Sequence, residues 1–267
     1  MDGLERMERG GVTMVGGRVG AVAFGFTERT GGVSEPPFAS LNLGGHVGDD
    51  AVAVAENRRR VLTALGAERA AGNLLVPNQV HGDHVAIVRS SDAAELERVR
   101  AEIARGADGI VCTAPDVPVM LCFADCVPVV LVAPGGFAVV HSGWKGTYAR
   151  IAAKAARTLA HEAGAAIRDI QAYIGPHILG DEYEVSAELI DHFEERFRAV
   201  HPAGPRLLDL SGCIVQALTE EGVPAASIVD TGLSTMRLND RFFSYRAEDG
   251  VCGRHAAVAV LLDRAAR

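Results

Sequence analysis

The chain has 267 residues, of which 48% are hydrophobic and 22% charged, a composition typical of a globular protein that can bury a sizeable core. Its formal net charge of -8 argues against nucleic acid or an anionic membrane surface as a partner. Its apolar runs are too short to span a bilayer, and the N-terminus lacks the apolar core of a signal peptide. The five cysteines show no paired spacing, which favours a reducing compartment, and we expect a cytoplasmic protein.

The first part of the chain predicts a leader, a strand and a turn-rich loop. We expect residues 1–18 to form a flexible leader and residues 19–267 to form one catalytic domain, with a first strand at 19–26. The loop that follows contains Arg29, Ser34 and Asn42 among several glycines, and these donors together with free backbone amides suit an anion. A connecting loop whose glycines only satisfy turn geometry is the alternative.

A helix and a polar turn come next. Residues 49–65 predict a helix, because Asp49 or Asp50 can cap its start and Gly66 can end it. Short strands are predicted at 74–76 and 85–88, and the polar turn between them contains Gln79 and His81. Residues 90–105 have apolar side chains at helical spacing and predict a surface helix.

The stretch from 107 to 147 contains three short apolar runs, each followed by a tight polar element. The runs at 117–123, 127–133 and 137–140 are rich in Val and bounded by Pro or Gly, which is typical of buried strands. Asp125 and Cys126 follow the first run, and His141 follows the third. A thiol and an imidazole are therefore expected at the ends of neighbouring strands.

The remaining chain alternates helices and strands imperfectly. Helices are predicted at 147–164, 186–200 and 208–221, and strands at 170–174, 228–230 and 256–262. A strand that runs through Gly143 and Gly146 into a helix presents free amides beside Lys145, an arrangement that suits an anion. A tight turn is the alternative. Without repeats or a low-complexity linker, the pattern predicts one α/β domain and argues against a simple doubly wound sheet.

Three residues from separate polar turns form the candidate chemical centre. The thiolate of Cys126 and the imidazoles of His81 and His141 would make a three-ligand zinc site with an open fourth position. The same residues also suit a Cys126 nucleophile with a histidine base, or an inert buried thiol. Asp125 is a candidate to orient a histidine or to act as a general base, and a simple turn residue is its alternative.

Six short motifs along the chain resemble those of the YfiH/laccase-domain family. Members of this family have been called polyphenol oxidases, peptidoglycan-editing factors and purine nucleoside phosphorylases. The resemblance runs from about residue 22 to residue 262, in the family's order. The motifs are NQVHG at 78–82, ADG at 107–109, ADC at 124–126, VHSGWKG at 140–146, IGP at 174–176 and FSYR at 243–246.

The resemblance implies one α/β domain of layered mixed sheets and helices. It implies a zinc ion held by His81, Cys126 and His141. It also implies phosphorolysis of adenosine, inosine, guanosine and methylthioadenosine, and deamination of adenosine. Purine nucleosides and phosphate would then be the partners, and the number of subunits stays open, a monomer included.

On this basis we assign candidate substrate contacts and retain alternatives. Arg29, Ser34 and Lys145 are candidates for phosphate, and Asn42 and Gln79 for ribose or base. The alternatives are a cysteine-nucleophile hydrolase acting in peptidoglycan-precursor editing, a non-catalytic binding protein, and a multicopper polyphenol oxidase. The last fits poorly, because several copper centres need many more histidine ligands than the chain brings together.

Overall fold

Two β-sheets packed face to face form the centre of the fold, seen in a computed structural model that describes residues 4–198 and 200–262. The first sheet is antiparallel, with strand order β1-β2-β3-β11-β6. Its strands are β1 (Glu5–Arg9), β2 (Val12–Val19), β3 (Val22–Thr27), β6 (Val119–Phe123) and β11 (His255–Leu261).

The second sheet is mixed, with strand order β10-β9-β7-β8-β5-β4. Its outer pairs, β10 with β9 and β4 with β5, are parallel, and its central pairs are antiparallel. Its strands are β4 (Val85–Val88), β5 (Gly109–Cys112), β7 (Val127–Ala133), β8 (Gly136–Ser142), β9 (Gln171–Ile174) and β10 (Ile228–Asp230).

The expected flexible leader over residues 1–18 is wrong for the part that the structure describes, since residues 1–3 lie outside the described residues. Strands β1 and β2 occupy most of this segment, and Val12 and Met14 are fully buried. Gly16, in β2, allows close packing between neighbouring strands. Gly16 pairs with Gly25 across the sheet, and a Cβ on Gly16 would lie 2.3 Å from a backbone oxygen of Phe24.

The inner strands are apolar on both faces because each face is covered. In β7 and β8, Val130 and Val139 point into the core between the two sheets, whereas Val129 and Val140 belong to the core beneath the helices. A sheet covered on both sides produces continuous apolar runs instead of alternation. This explains why the central sequence contains uninterrupted runs of Val.

Helices form the two outer layers, so the predicted layered α/β domain is confirmed. Helix α1 packs on the outer face of the first sheet, and α4 to α6 pack on the outer face of the second. Helix α2 lies beside β4. The helices are α1 (Ala51–Leu65), α2 (Ala93–Ala104), α3 (Trp144–Tyr148), α4 (Ile151–Ala163), α5 (Ala187–Glu194) and α6 (Leu210–Glu221).

Local signals placed several helix ends correctly. The Asp50 side chain accepts a hydrogen bond from the amide of Val52 at the start of α1, and Gly66 ends the helix in the left-handed region.

Two predicted elements differ from the structure. The helix predicted over 147–164 is divided into α3 and α4, because Arg150 has a φ of 58°. The strand predicted at 74–76 is reduced to a single bridge between Leu75 and Val119.

The antiparallel pairing of β7 with β8 positions the candidate ligands. Val127 pairs with Ser142 and Pro128 with His141, so Cys126, directly before β7, lies beside the end of β8. In the part of the chain that the structure describes, no helix is both long and apolar enough to cross a membrane.

Candidate metal centre and its cavity

Three side chains from different elements converge at one end of the second sheet. The ligand atoms of His81, Cys126 and His141 all lie within 4.8 Å of one another. Within residues 4–198 and 200–262, this is the one cluster of at least three His, Cys, Asp or Glu side chains close enough to share a metal ion. His81 is exposed, Cys126 is half-buried and His141 is buried. The predicted convergence of these three residues is therefore present in the fold.

Asp108, which the sequence reasoning left without a role, holds both histidines in place. This fully buried carboxylate lies 2.8 Å from Nδ1 of His141, which directs the other ring nitrogen away from it. It also accepts hydrogen bonds from the backbone amides of His81 at 3.0 Å, Gly82 at 2.7 Å and Val80 at 3.2 Å. A carboxylate in this position fixes the tautomer and orientation of a metal-binding histidine.

The turn that carries His81 is held in an uncommon backbone conformation. His81 has a φ of 57°, in the left-handed region that few non-glycine residues occupy. The three amide hydrogen bonds to Asp108 stabilise this turn. Conformations of this kind persist only where surrounding contacts determine them, and they cluster at functional sites.

The charges within the cluster favour a thiolate. Burial acts to raise the pKa of the Cys126 thiol, but the neighbouring imidazoles of His141 and His81 outweigh it and lower the pKa to about 6. Burial would likewise lower the pKa of His141, but the Cys126 and Asp108 charges raise it to about 9. Burial also opposes ionisation of Asp108, yet its bonds to His141 and to backbone amides keep its pKa below the usual range. The thiolate is the form of cysteine that binds metals and attacks electrophiles.

The donor set and the surrounding space fit a single zinc ion. Zinc binds cysteine sulfur at about 2.3 Å and histidine nitrogen at about 2.0–2.1 Å, distances that these clustered side chains can reach with small adjustments. Gly143 keeps the space open, because a Cβ there would lie 3.2 Å from Sγ of Cys126 and 3.3 Å from Cδ2 of His81. Two histidines and a cysteine also occur in electron-transfer copper sites, so the preference for zinc rests on the open fourth position.

A cavity of about 490 Å³ opens directly beside the cluster. Its volume lies within the usual range for small-molecule sites, and its wall mixes aromatic, cationic and amide groups. A larger depression of about 700 Å³, between α1 and the first sheet, has neither histidine nor cysteine in its wall. Besides the three candidate ligands, the residues around the smaller cavity are His46, Gln79, Cys122, Phe123, Ala124, Asp125, Trp144, Ile178, Tyr183, Tyr245, Arg246 and Arg254.

In the loop predicted to bind an anion, the side chains of Arg29, Ser34 and Asn42 form bonds within the protein. The guanidinium of Arg29 forms an ion pair with Glu248 and lies 4.2 Å from the ring centre of Phe243. The side chains of Ser34 and Asn42 are buried, and both donate hydrogen bonds to a carboxylate oxygen of Asp49. The structure places none of the three in the cavity wall.

Of the other predicted substrate contacts, Gln79 lies in the cavity wall and Lys145 does not. The Gln79 amide lines the cavity and exchanges two 2.8 Å hydrogen bonds with the backbone of Cys122, as a neighbouring strand would. Lys145 is exposed, lies outside the cavity wall, and has its ammonium 5.4 Å from the Trp144 ring centre. The anion contact predicted for Lys145 therefore has no support from its position.

Asp125 fixes the turn before Cys126. Its two carboxylate oxygens accept hydrogen bonds from the Thr235 hydroxyl and the Arg246 amide, each at 2.7 Å. The contact that orients His141 comes from Asp108, and the hydrogen bonds of the Asp125 carboxylate go to Thr235 and Arg246 instead. Asp125 lines the cavity, so its role as a general base stays a prediction.

The sequence reasoning missed several residues of the wall, His46 and Arg254 among them. Both follow glycines, at Gly45 and Gly253, but nothing in their local sequence connects them with the cluster. Asp108 could have been identified from the sequence, because a carboxylate directly before a glycine and an apolar strand is expected to be buried and then needs a partner.

Comparison with known proteins places this geometry among enzymes. Residues 23–262 match the family described as multi-copper polyphenol oxidoreductase laccase. The chain is 36% identical over 238 residues to a purine nucleoside phosphorylase of Mycobacterium tuberculosis, covering 87% of this chain and 89% of that protein. It is 32% identical over 219 residues to the adenosine deaminase RL5 of an unknown prokaryotic organism, covering 78% and 82%.

A solved structure has the same fold. The crystal structure of YlmD from Geobacillus stearothermophilus superposes with a TM-score of 0.84 at 30% sequence identity, covering 97% of this chain and 99% of that one. In sequence comparison, the purine nucleoside phosphorylase YlmD of that organism is 36% identical over 249 residues, which cover 89% of each protein. The similarity thus extends over nearly the whole fold.

Proposed function

The chain belongs to the multi-copper polyphenol oxidoreductase laccase family, and on that premise we propose that it is a zinc-dependent purine nucleoside phosphorylase that also deaminates adenosine. The chain is an enzyme, as its named relatives are. The finer assignment, with zinc as the metal and with adenosine, inosine, guanosine and methylthioadenosine as substrates, is our proposal.

One observation carries the proposal: a cysteine and two histidines converge at the edge of a cavity large enough for a nucleoside. Three protein ligands leave a fourth position open, as in catalytic zinc sites. When bound, the ion supplies Lewis acidity and makes water at the open position more acidic. The exposed rings of Trp144 and Tyr245 offer flat surfaces against which a purine can pack.

The two reactions make different demands on the residues of the cavity. In phosphorolysis, a phosphate oxygen bonds to C1′ of the ribose while the bond from C1′ to the purine breaks, and the purine takes the electron pair and a proton. In deamination, a water oxygen bonds to C6 of adenine and ammonia leaves. Both reactions therefore need a proton carrier in the wall of the cavity. We assign this role to Asp125, because each of its carboxylate oxygens retains a second acceptor position.

One observation favours a second candidate, a cysteine-nucleophile hydrolase. His141 lies close enough to hold Cys126 as a thiolate, and its own contact with Asp108 completes a Cys–His–Asp arrangement. A multicopper oxidase receives no such support, because the described part of the chain contains one candidate metal cluster and that reaction needs several copper centres.

Product analysis tests the proposed function. The protein is incubated with adenosine, with and without inorganic phosphate, and the products are identified by chromatography and mass spectrometry. We expect adenine and ribose 1-phosphate only when phosphate is present, and inosine in both reactions. The control is His81→Ala, which removes one metal ligand. If wild type forms no more adenine, hypoxanthine or inosine than this variant, the proposed function is wrong.

Metal analysis and thiol labelling separate the second candidate from the first. Burial raises the pKa of Cys122 to about 11, so this neighbouring thiol serves as the unreactive internal reference. We expect the purified protein to contain zinc, and bound zinc to protect Cys126 from iodoacetamide. A zinc-free protein whose activity disappears as Cys126 is alkylated would support the hydrolase and overturn the metal assignment.

A further inference from the structure

Arg254, in the cavity wall, is a cation without a carboxylate partner. Several arginines on this acidic protein form ion pairs with buried or half-buried carboxylates, such as Arg29 with Glu248 and Arg241 with Glu28. Within residues 4–198 and 200–262, neither Arg254 nor the nearby Arg58 has a carboxylate oxygen within 4.0 Å. A partly buried guanidinium is costly to leave without an anion, so a cation retained in this position indicates an anionic ligand.

The backbone around Arg254 holds its guanidinium in a fixed position. Nη1 donates to the carbonyl oxygens of Cys252 at 2.8 Å and Gly253 at 2.9 Å, and the backbone amide of Arg254 donates to Oδ1 of Asn42 at 2.8 Å. Gly44 leaves space for the stem, because a Cβ there would lie 2.8 Å from Cγ of Arg254. The described residues accept no hydrogen bond from Nε or Nη2, so these two donors are available to a ligand.

His46 lies in the loop that precedes α1, and Arg58, on α1, is hydrogen-bonded to the same loop. His46 lines the cavity, and Arg58 donates from Nε and Nη2 to the carbonyl of Leu43 at 3.0 and 2.8 Å. Partial burial, followed by the charges of Arg254 and Arg58, lowers the pKa of His46. The charge contributions to this shift place the guanidinium groups of Arg254 and Arg58 close to His46. Asp125, the carboxylate of the cavity wall, is hydrogen-bonded to the Thr235 hydroxyl and to a backbone amide, and it forms no ion pair with Arg254.

Arg246, the other guanidinium of the wall, is a weaker candidate. Both of its terminal nitrogens point toward the carbonyl oxygen of Glu184, at 3.4 Å each, and the group lies 5.5 Å from the ring centre of Tyr183. It is exposed, whereas Arg254 is partly buried. Both terminal nitrogens of Arg246 thus have a protein acceptor, whereas Nε and Nη2 of Arg254 have none among the described residues.

We propose that Arg254 and His46 bind a phosphate dianion beside the metal cluster, with Arg58 contributing positive charge from behind the loop. This inference rests on the proposed function, because phosphate is the one anionic substrate of the two reactions and the nucleosides are neutral. Nε and Nη2 of Arg254 donate to phosphate oxygens, and an imidazole N–H of His46 adds a further donor. In this proposal, Arg254 and His46 bind the phosphate in place of the contacts predicted for Arg29 and Lys145.

The test compares a phosphate-dependent and a phosphate-independent reaction in Arg254→Gln. Losing a charge-assisted hydrogen bond of about 1.5–3 kcal/mol predicts a rise of about 10- to 150-fold in the phosphate KM of phosphorolysis. Adenosine deamination, which uses no phosphate, should keep its kcat/KM within about threefold, a loss below about 1 kcal/mol. Arg254→Lys should recover part of the phosphate affinity, and His46→Asn should also raise the phosphate KM.

The control and the contradicting results are defined by the same two reactions. Arg59→Gln removes the same charge from an exposed arginine one position after Arg58, which is already paired with Glu56, and should leave both reactions unchanged. An unchanged phosphate KM in folded Arg254→Gln would overturn the assignment, as would an equal loss of both reactions. If Arg254→Gln does not fold, His46→Asn decides by the same criteria.

Direct binding separates this inference from the proposed function. Phosphate binding to the zinc-loaded protein is measured by calorimetry, in parallel with adenosine 5′-monophosphate as a phosphate ester. Arg254-dependent phosphate binding without phosphorolysis would retain the site and reject the proposed function. Phosphorolysis with an unchanged phosphate KM in Arg254→Gln would support the proposed function and reject the phosphate site at Arg254. Arg254-dependent binding of the ester alone would show that the anion belongs to a nucleotide, and would overturn the assignment to inorganic phosphate.

Discussion

Replacing Asp108 with asparagine should weaken metal binding without removing any ligand. The carboxylate faces four donors, namely Nδ1 of His141 and the amides of Val80, His81 and Gly82. An asparagine amide has one oxygen, so its NH₂ group must face donors that need an acceptor. Leaving one or two of these donors unsatisfied costs about 1–3 kcal/mol each, or about 1–6 kcal/mol in total. Loss of such a ligand-orienting group typically lowers metal affinity by about 10- to 100-fold.

Two measurements check this expectation. Zinc affinity is measured by competition with a chelator, and the free energy of unfolding is measured by urea titration of the metal-free protein. Glu28→Gln is the matched control, because Glu28 is also a buried carboxylate but binds Arg6 and Arg241, away from the cluster. It should lower stability while retaining zinc affinity. Zinc affinity within about twofold of wild type in Asp108→Asn would refute the assigned role of Asp108.

Three further changes probe other parts of the site and core. Gly143→Ala places a Cβ about 3.2 Å from Sγ of Cys126 and should reduce zinc affinity and activity by about tenfold, whereas Gly72→Ala, with open space around its Cβ, should not. Asp125→Asn should retain zinc but lower deamination by about 100-fold, and an unchanged rate would limit Asp125 to holding the turn. Burial lowers the pKa of the His255 imidazole to about 3 in the folded chain, whereas an unfolded histidine has a pKa of about 6.5. As the pH falls below about 6.5, the unfolded chain therefore takes up a proton at His255 and the folded chain does not. The free energy of unfolding should therefore be highest above pH 6.5 and lower by about 2 kcal/mol near pH 5. In His255→Phe, unfolding curves measured at a series of pH values should show a smaller decrease.

The central elements were predictable because their signals are local. Runs of Val bounded by Pro and Gly indicated the strands that carry Cys126 and His141, and Asp50 and Gly66 indicated the ends of α1. His81 was grouped with these two residues because it also lies in a polar turn between strands, and the choice of zinc over a nucleophile came from family resemblance. The separation of 45 positions between His81 and Cys126 follows no spacing rule. Only the pairing of β7 with β8 and the Asp108 hydrogen bonds explain the convergence physically.

The parts that the sequence did not predict depend on contacts between distant segments. Gly16 and Gly44 each allow close packing against a distant part of the chain, which a local reading does not show. The donors of Arg29, Ser34 and Asn42 were assigned to an anion, whereas the fold supplies internal acceptors for all three. Arg254 was missed for the opposite reason, because a cation without a partner is recognised only after its surroundings are known.

X-ray absorption at the zinc edge of the zinc-loaded protein tests the metal centre most directly. The proposed function predicts one zinc ion per chain with one sulfur ligand at about 2.3 Å, two imidazole nitrogens at about 2.0–2.1 Å and a remaining oxygen ligand from solvent. The sulfur contribution should disappear in Cys126→Ser. A zinc ion without a sulfur neighbour, or one enclosed by four protein ligands, would contradict the open three-ligand centre on which the account depends.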